Sequence, residues 1–138
     1  MIATAQALDE EMAQRIARHR AERGAAWATV EAPLDLAGAV ERLKAGEAAV
    51  VDCLTLWLSN LMLGDLDVAA AVAGTAQALA ASPAEVLVVT NEVGQGIVPD
   101  NALARRFRDE AGWMNQAMAA AAGRVVLVSA GLPLVLKG

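Results

Sequence analysis

A chain of 138 residues, 57% hydrophobic and with a mean hydropathy of +0.41, is long enough for one domain with a core of its own, and much of its apolar weight is alanine, which packs helices closely. No apolar run reaches the roughly 18 residues of a spanning helix, and no basic stretch followed by an apolar one opens the chain, so neither a membrane span nor a signal peptide is read. A net charge of −5 argues against a general nucleic-acid binder but not against a local nucleotide site, and a single cysteine, Cys53, excludes an internal disulfide and makes a reducing cytoplasm the default.

Ile2-Ala3-Thr4-Ala5 reads as the end of a strand running into a loop. A helix follows, with Asp9 as N-cap, Glu10 and Glu11 at the positive end of its dipole and Gly24 as its stop. Leu8, Met12 and Ile16 fall on one face of that helix, and at about 100° per residue His19 joins them, so the imidazole is expected to point inward, among Arg15, Arg18, Arg20 and Arg23. Residues 27–32 suggest a short strand, and residues 34–43 a modest amphipathic helix. Residues 48–53 suggest a buried strand ending at Asp52, and residues 55–63 a buried helix carrying Trp57. An alanine-rich helix is expected over 66–81, capped by Asp65. Residues 86–90 form the next buried-strand candidate. The helix after it keeps Leu103, Phe107, Ala111, Met114 and Met118 at helical spacing, with Asp100 as cap. A buried strand over 124–130 and a short one over 132–137 close the chain. Strands alternating with helices predict one α/β domain over 1–138 with a largely parallel sheet.

Three places could carry chemistry. Asp52 closes a run of apolar residues, a position that either caps the next helix or holds Mg²⁺ near a nucleotide. His19, the only histidine, is either a core residue satisfied by one hydrogen bond or a nucleophile or base; with no second histidine, a metal site is not indicated. Its arginines either form a solvated face or neutralise phosphate. The loop Asn91-Glu92-Val93-Gly94-Gln95-Gly96-Ile97-Val98-Pro99 leaves a strand at the end where open α/β sheets bind ligands, and its glycines permit close backbone approach. Arg105, Arg106, Arg108 and Asp109 read as a surface charge cluster.

These segments together resemble one family. The run TNEVGQGIVPDNALARRFRDEAGWMNQ is similar to the signature of the bifunctional adenosylcobinamide kinase/adenosylcobinamide-phosphate guanylyltransferases of cobalamin biosynthesis. IATAQALDEEMAQRIARHRAERGAAW resembles that family's segment after its second strand, and VVDCLTLWLSNLM its Walker-B-like strand and the helix beyond. The resemblance implies a P-loop nucleotide-binding fold, a cytoplasmic homotrimer, GTP (or ATP for the kinase step) with Mg²⁺, and adenosylcobinamide and its phosphate as substrates. It implies that His19, in the context Arg15, Ile16, His19, Arg20, is the nucleophile that is guanylylated. It also implies that Ala3, Thr4, Ala5, Arg20, Ala21, Glu22, Arg23, Glu31 and Asp52 lie at the nucleotide, Asp52 also near the metal, and that Asn91 and Glu92 line the catalytic mouth.

The sequence departs from the family pattern at its start. Only two lysines are present, Lys44 and Lys137, and neither follows a Gly-x-x-x-x-Gly run. The first strand, the P-loop and the first helix of the family are therefore read as absent, and the sheet as lacking a central strand. The first expectation is a family member whose sequence is incomplete at the N-terminus. The second is a degenerate, inactive homologue serving as a binding or assembly subunit. The third is a chain that retains guanylyl transfer alone. A chain without its central strand is expected to be marginally stable or to aggregate.

Overall fold

The computed structural model describes residues 1–23 and 27–138. Its elements run β1 (Ile2–Ala3), α1 (Glu10–Arg23), β2 (Val30–Glu31), α2 (Leu36–Glu41), β3 (Ala48–Asp52), α3 (Leu54–Leu63), α4 (Val68–Ala81), β4 (Glu85–Val88), α5 (Ala102–Ala121), β5 (Val125–Ser129) and β6 (Leu132–Lys137). The first four strands form a parallel sheet in the order β2-β1-β3-β4, and β5 and β6 form a separate antiparallel pair. This is the α/β, mostly parallel architecture that the alternation of strands and helices predicts.

Register decides which face of the sheet is buried. Ile2 pairs with Val51, Val51 with Val88 and Ala49 with Val86, and partners opposite one another point to the same face. These residues belong to or pack against the core, where Ile2 and Val51 are fully buried. The opposite face, carrying Ala3, Val50, Asp52 and Leu87, is open, and Leu87 is 61% exposed. The strand over 86–90 was expected to be buried; it is covered on one face only.

Helices fill the core by their spacing. Leu54, Trp57, Leu58 and Leu61 put one face of α3 inside, and Ala111, Met114 and Met118 do the same for α5. Val68, Val72, Thr75 and Ala78 bury α4 against α2 and α5. Trp57 is buried with its indole N–H donating to Leu34 O at 2.8 Å, so its bulk fills the core without orphaning its donor.

Several expectations are corrected. The α4 cap is Asp67, whose side chain accepts from Ala70 N, not Asp65, which instead takes a left-handed turn conformation (φ 51°). The α5 cap is Asn101, accepting from Ala104 N, not Asp100. Strand β5 is no buried strand: it pairs only with β6, every residue of which is exposed. Asp9 does cap α1, accepting from Met12 N at 2.7 Å. The expected stop at Gly24 and the side chain of Arg23 lie outside the described residues.

Candidate functional site

The carboxyl ends of four parallel strands bring the predicted residues into one row. Ala3 pairs with Glu31 on one side and with Asp52 on the other, so two carboxylate-bearing residues flank an alanine in the same register. With parallel strands about 4.8 Å apart, Glu31 and Asp52 stand roughly 10 Å from each other across Ala3. The alanine puts only a methyl group between them. Asn91 and Glu92 follow the end of the neighbouring strand β4. A crevice outside the carboxyl ends of parallel strands is where such sheets take ligands.

A buried polar network fixes this row from below. The Thr4 hydroxyl donates to Cys53 O at 2.7 Å and accepts from Cys53 N at 2.9 Å, tying the end of β1 to the exit of β3. The Asp52–Cys53 peptide within this knot is cis. Asn60 Nδ2 donates to Thr4 O at 2.7 Å and to Pro33 O at 3.0 Å. Thr4 is wholly buried and its hydroxyl is doubly engaged, so its side chain holds the strand end in place.

His19 does not point inward. Its side chain is half exposed and lies 3.7 Å from the Glu22 carboxylate one turn on. No residue from Glu10 to Glu22 is buried, and Leu8, expected on the same inward face, is 68% exposed. Leu8 lies before the helix, which starts at Glu10, and of the aligned residues within it Met12 and Ile16 are half-buried while His19 stays exposed. Arg20, next to His19, forms an ion pair with Glu31 and so links α1 to the row of strand ends. Both partners are largely exposed, which makes this link positional more than stabilising.

The loop after β4 is held at its base. Glu92 Oε1 accepts from Gly94 N at 2.8 Å, and a Cβ at position 94 would come within 2.9 Å of that oxygen, so a larger residue there would push the flexible Glu92 side chain aside. Gly96 has open space around it. Farther on, Val93, Ile97 and Phe107 help line an apolar cleft of about 560 Å³ against Met62 and Leu63 of α3. Arg105 donates to Pro99 O and Asp100 O, so this guanidinium closes the loop on its own helix, while Arg106 and Arg108 pair with Glu110 and Asp109 on the expected charged surface.

Sequence reasoning missed Thr55, Asn60 and Asn115. Each bonds to a strand-end segment far away in the chain, and only the pairing of β1, β3 and β4 brings those partners together. An isolated asparagine inside an apolar helix pattern, as at 60, was the available signal, since a buried amide must find partners.

A model of the cobinamide kinase / cobinamide phosphate guanyltransferase family matches residues 1–136. The chain is 49% identical over 142 residues to the bifunctional adenosylcobalamin biosynthesis protein CobP of Pseudomonas aeruginosa, a match spanning 99% of this chain and 81% of that protein. It is 41% identical over 152 residues to the bifunctional adenosylcobalamin biosynthesis protein CobU of Escherichia coli and 42% identical to that of Salmonella typhimurium, each match spanning 99% of this chain and 84% of the relative. A match along nearly the whole chain means that this protein belongs to the cobinamide kinase / cobinamide phosphate guanyltransferase family.

Proposed function

We propose that this chain carries out the two reactions named by its family: phosphorylation of adenosylcobinamide, and transfer of GMP from GTP to adenosylcobinamide phosphate. In the first, the γ-phosphoryl group of GTP or ATP passes to the aminopropanol hydroxyl. In the second, a nitrogen of the His19 imidazole attacks the α-phosphorus of GTP; an N–P bond forms and pyrophosphate leaves. A phosphate oxygen of adenosylcobinamide phosphate then attacks the same phosphorus, the N–P bond breaks, and adenosylcobinamide-GDP departs with His19 restored. The protein acts in the cytoplasm as a homo-oligomer, a trimer by family resemblance.

The observation that carries this reading is the row Glu31–Ala3–Asp52 at the carboxyl ends of the strands, joined to the histidine helix by the Arg20–Glu31 pair. Ala3, Thr4, Ala5, Arg20, Ala21, Glu22, Arg23, Glu31 and Asp52 are the residues proposed at the nucleotide, with Arg15, Arg18 and Arg20 as cations for its phosphates. Asn91 and Glu92 border the same mouth from β4.

The donor set fits Mg²⁺. Among the described residues no three His, Cys, Asp or Glu side chains gather into a cage. Mg²⁺ does not ask for one; it binds through one or two carboxylates, with water and nucleotide phosphates completing the shell. Asp52, exposed at the end of β3, would hold it, and the ion would neutralise charge on the triphosphate.

Incubation with α-labelled GTP tests the histidine step. The wild-type chain is expected to take up acid-labile label, and His19→Ala to take up none. Label retained in His19→Ala would move the nucleophile elsewhere. Label absent from both would remove guanylylation and leave a binding or assembly subunit as the better reading.

A further inference from the structure

The base of the Asn91–Glu92 loop is gripped from two helices that sequence reasoning did not connect with it. Thr55, in the first turn of α3, donates its hydroxyl to Asn91 Oδ1 at 2.9 Å and accepts from Asn91 N at 3.0 Å. Asn115, midway along α5, accepts from the Thr90 hydroxyl at 2.7 Å and donates Nδ2 to Asn91 O at 3.1 Å. Leu54 N also donates to Val89 O at 2.9 Å, so the start of α3 is stitched to the exit of β4 one step earlier. Asn91 thereby has its N–H, its C=O and its side-chain oxygen all engaged. Its Nδ2 amide has no partner among the described residues, nor has the second carboxylate oxygen of Glu92.

These bonds are only partly shielded from water, and a bond of that kind contributes little to global stability. Their effect is directional. A flipped Asn115 amide would set its oxygen against the Asn91 carbonyl, and a turned Asn91 side chain would lose the bond its Oδ1 accepts from Thr55. Beyond Glu92 most of the loop is exposed, so nothing else fixes its base as closely. Thr55 also stands three residues after Asp52, so one side chain ties the exit of β3 to the exit of β4.

We propose that Thr55 and Asn115 are positioning residues, which hold Asn91 and Glu92 so that the Asn91 Nδ2 donor and the unengaged Glu92 oxygen are presented to the phosphorylated substrate. This rests on the transfer reactions proposed above. Thr55→Val removes the hydroxyl at nearly constant shape, Thr55→Ser keeps it, and Asn115→Ala removes both bonds of the amide. Amide hydrogen exchange over residues 91–96 and steady-state GMP transfer to adenosylcobinamide phosphate are to be measured on the full chain of each variant. In Thr55→Val and Asn115→Ala the exchange is expected to quicken about tenfold, as local opening becomes easier. In the same variants kcat is expected to fall about tenfold with KM within about twofold, because orientation and not binding is lost. Thr55→Ser restores both. Unchanged exchange, faster exchange with unchanged kcat, or a Thr55→Ser as impaired as Thr55→Val would each overturn the proposal. A wild-type chain without any transfer would remove the functional reading instead, and exchange alone would then decide the clamp: quickened exchange sustains it and unchanged exchange overturns it.

Discussion

Asn60 is 6% exposed, and its amide nitrogen serves two carbonyls, Thr4 O and Pro33 O, that end two different strand segments. Removing it leaves both carbonyls without a donor where water has little access. Asn60→Ala is therefore expected to cost about 2–4 kcal/mol, a buried unsatisfied carbonyl adding to the cavity left behind. Urea unfolding of the variant measures this; a loss under about 0.5 kcal/mol would mean that water replaces the amide at no cost. The same residue scale shows what periodicity could not supply. The wheel of α1 groups His19 with Met12 and Ile16, yet spacing alone does not say how far a face is covered. Met12 and Ile16 are half-buried, and His19, farther along the same helix, is half exposed.

At the scale of elements, the helices were legible because their apolar spacing and their cores agree: α3, α4 and α5 lie within a few residues of where Trp57, Val72 and Met114 place them. Their starts were less so, since acidic or amide residues stand together before α4 and α5 and only backbone geometry selects the cap. The stretch before α4 separates the two acidic candidates by experiment. Asp67→Ala loses a side-chain bond to Ala70 N and is expected to cost about 1 kcal/mol. Asp65→Gly relieves a positive φ and is expected to match or exceed wild-type stability by up to about 1 kcal/mol. Thermal or urea midpoints that ranked the two the other way would restore Asp65 as the cap. The candidate site was legible in part for a related reason. Glu31, Asp52 and Asn91 end strands, and strand ends can be read from composition; Thr55, Asn60 and Asn115 act through pairings that no local pattern encodes.

The parallel sheet flanked by helices is consistent with a P-loop-like fold for this family, but the described chain leaves much of its strand backbone unpaired. Strand β4 has β3 on one side and no described strand on the other, and its open face exposes Leu87. The β5–β6 pair joins neither edge of the four-stranded sheet. Its tie to the helices includes Lys137, whose ammonium donates to Ala119 O and Ala120 O at the C-terminus of α5, where a cation suits the dipole. A two-stranded pair is barely stable alone. Between Arg124 and Lys137 it carries no charge to discourage pairing with another chain, while Val128, Leu132, Leu134 and Leu136 are all more than half exposed. The chain of 138 residues is therefore expected to self-associate through this hairpin and the outer edge of β4. In sedimentation velocity, the wild type should show concentration-dependent larger species, and the Val128→Lys, Leu134→Lys double variant should shift toward monomer. Lys137→Ala should move the other way, because freeing the hairpin from α5 makes its edges more available. A wild-type sample that stayed a single species of 14.2 kDa and melted sharply and reversibly would show that the four-stranded sheet and the hairpin stand on their own, and that the open edges carry no drive to pair.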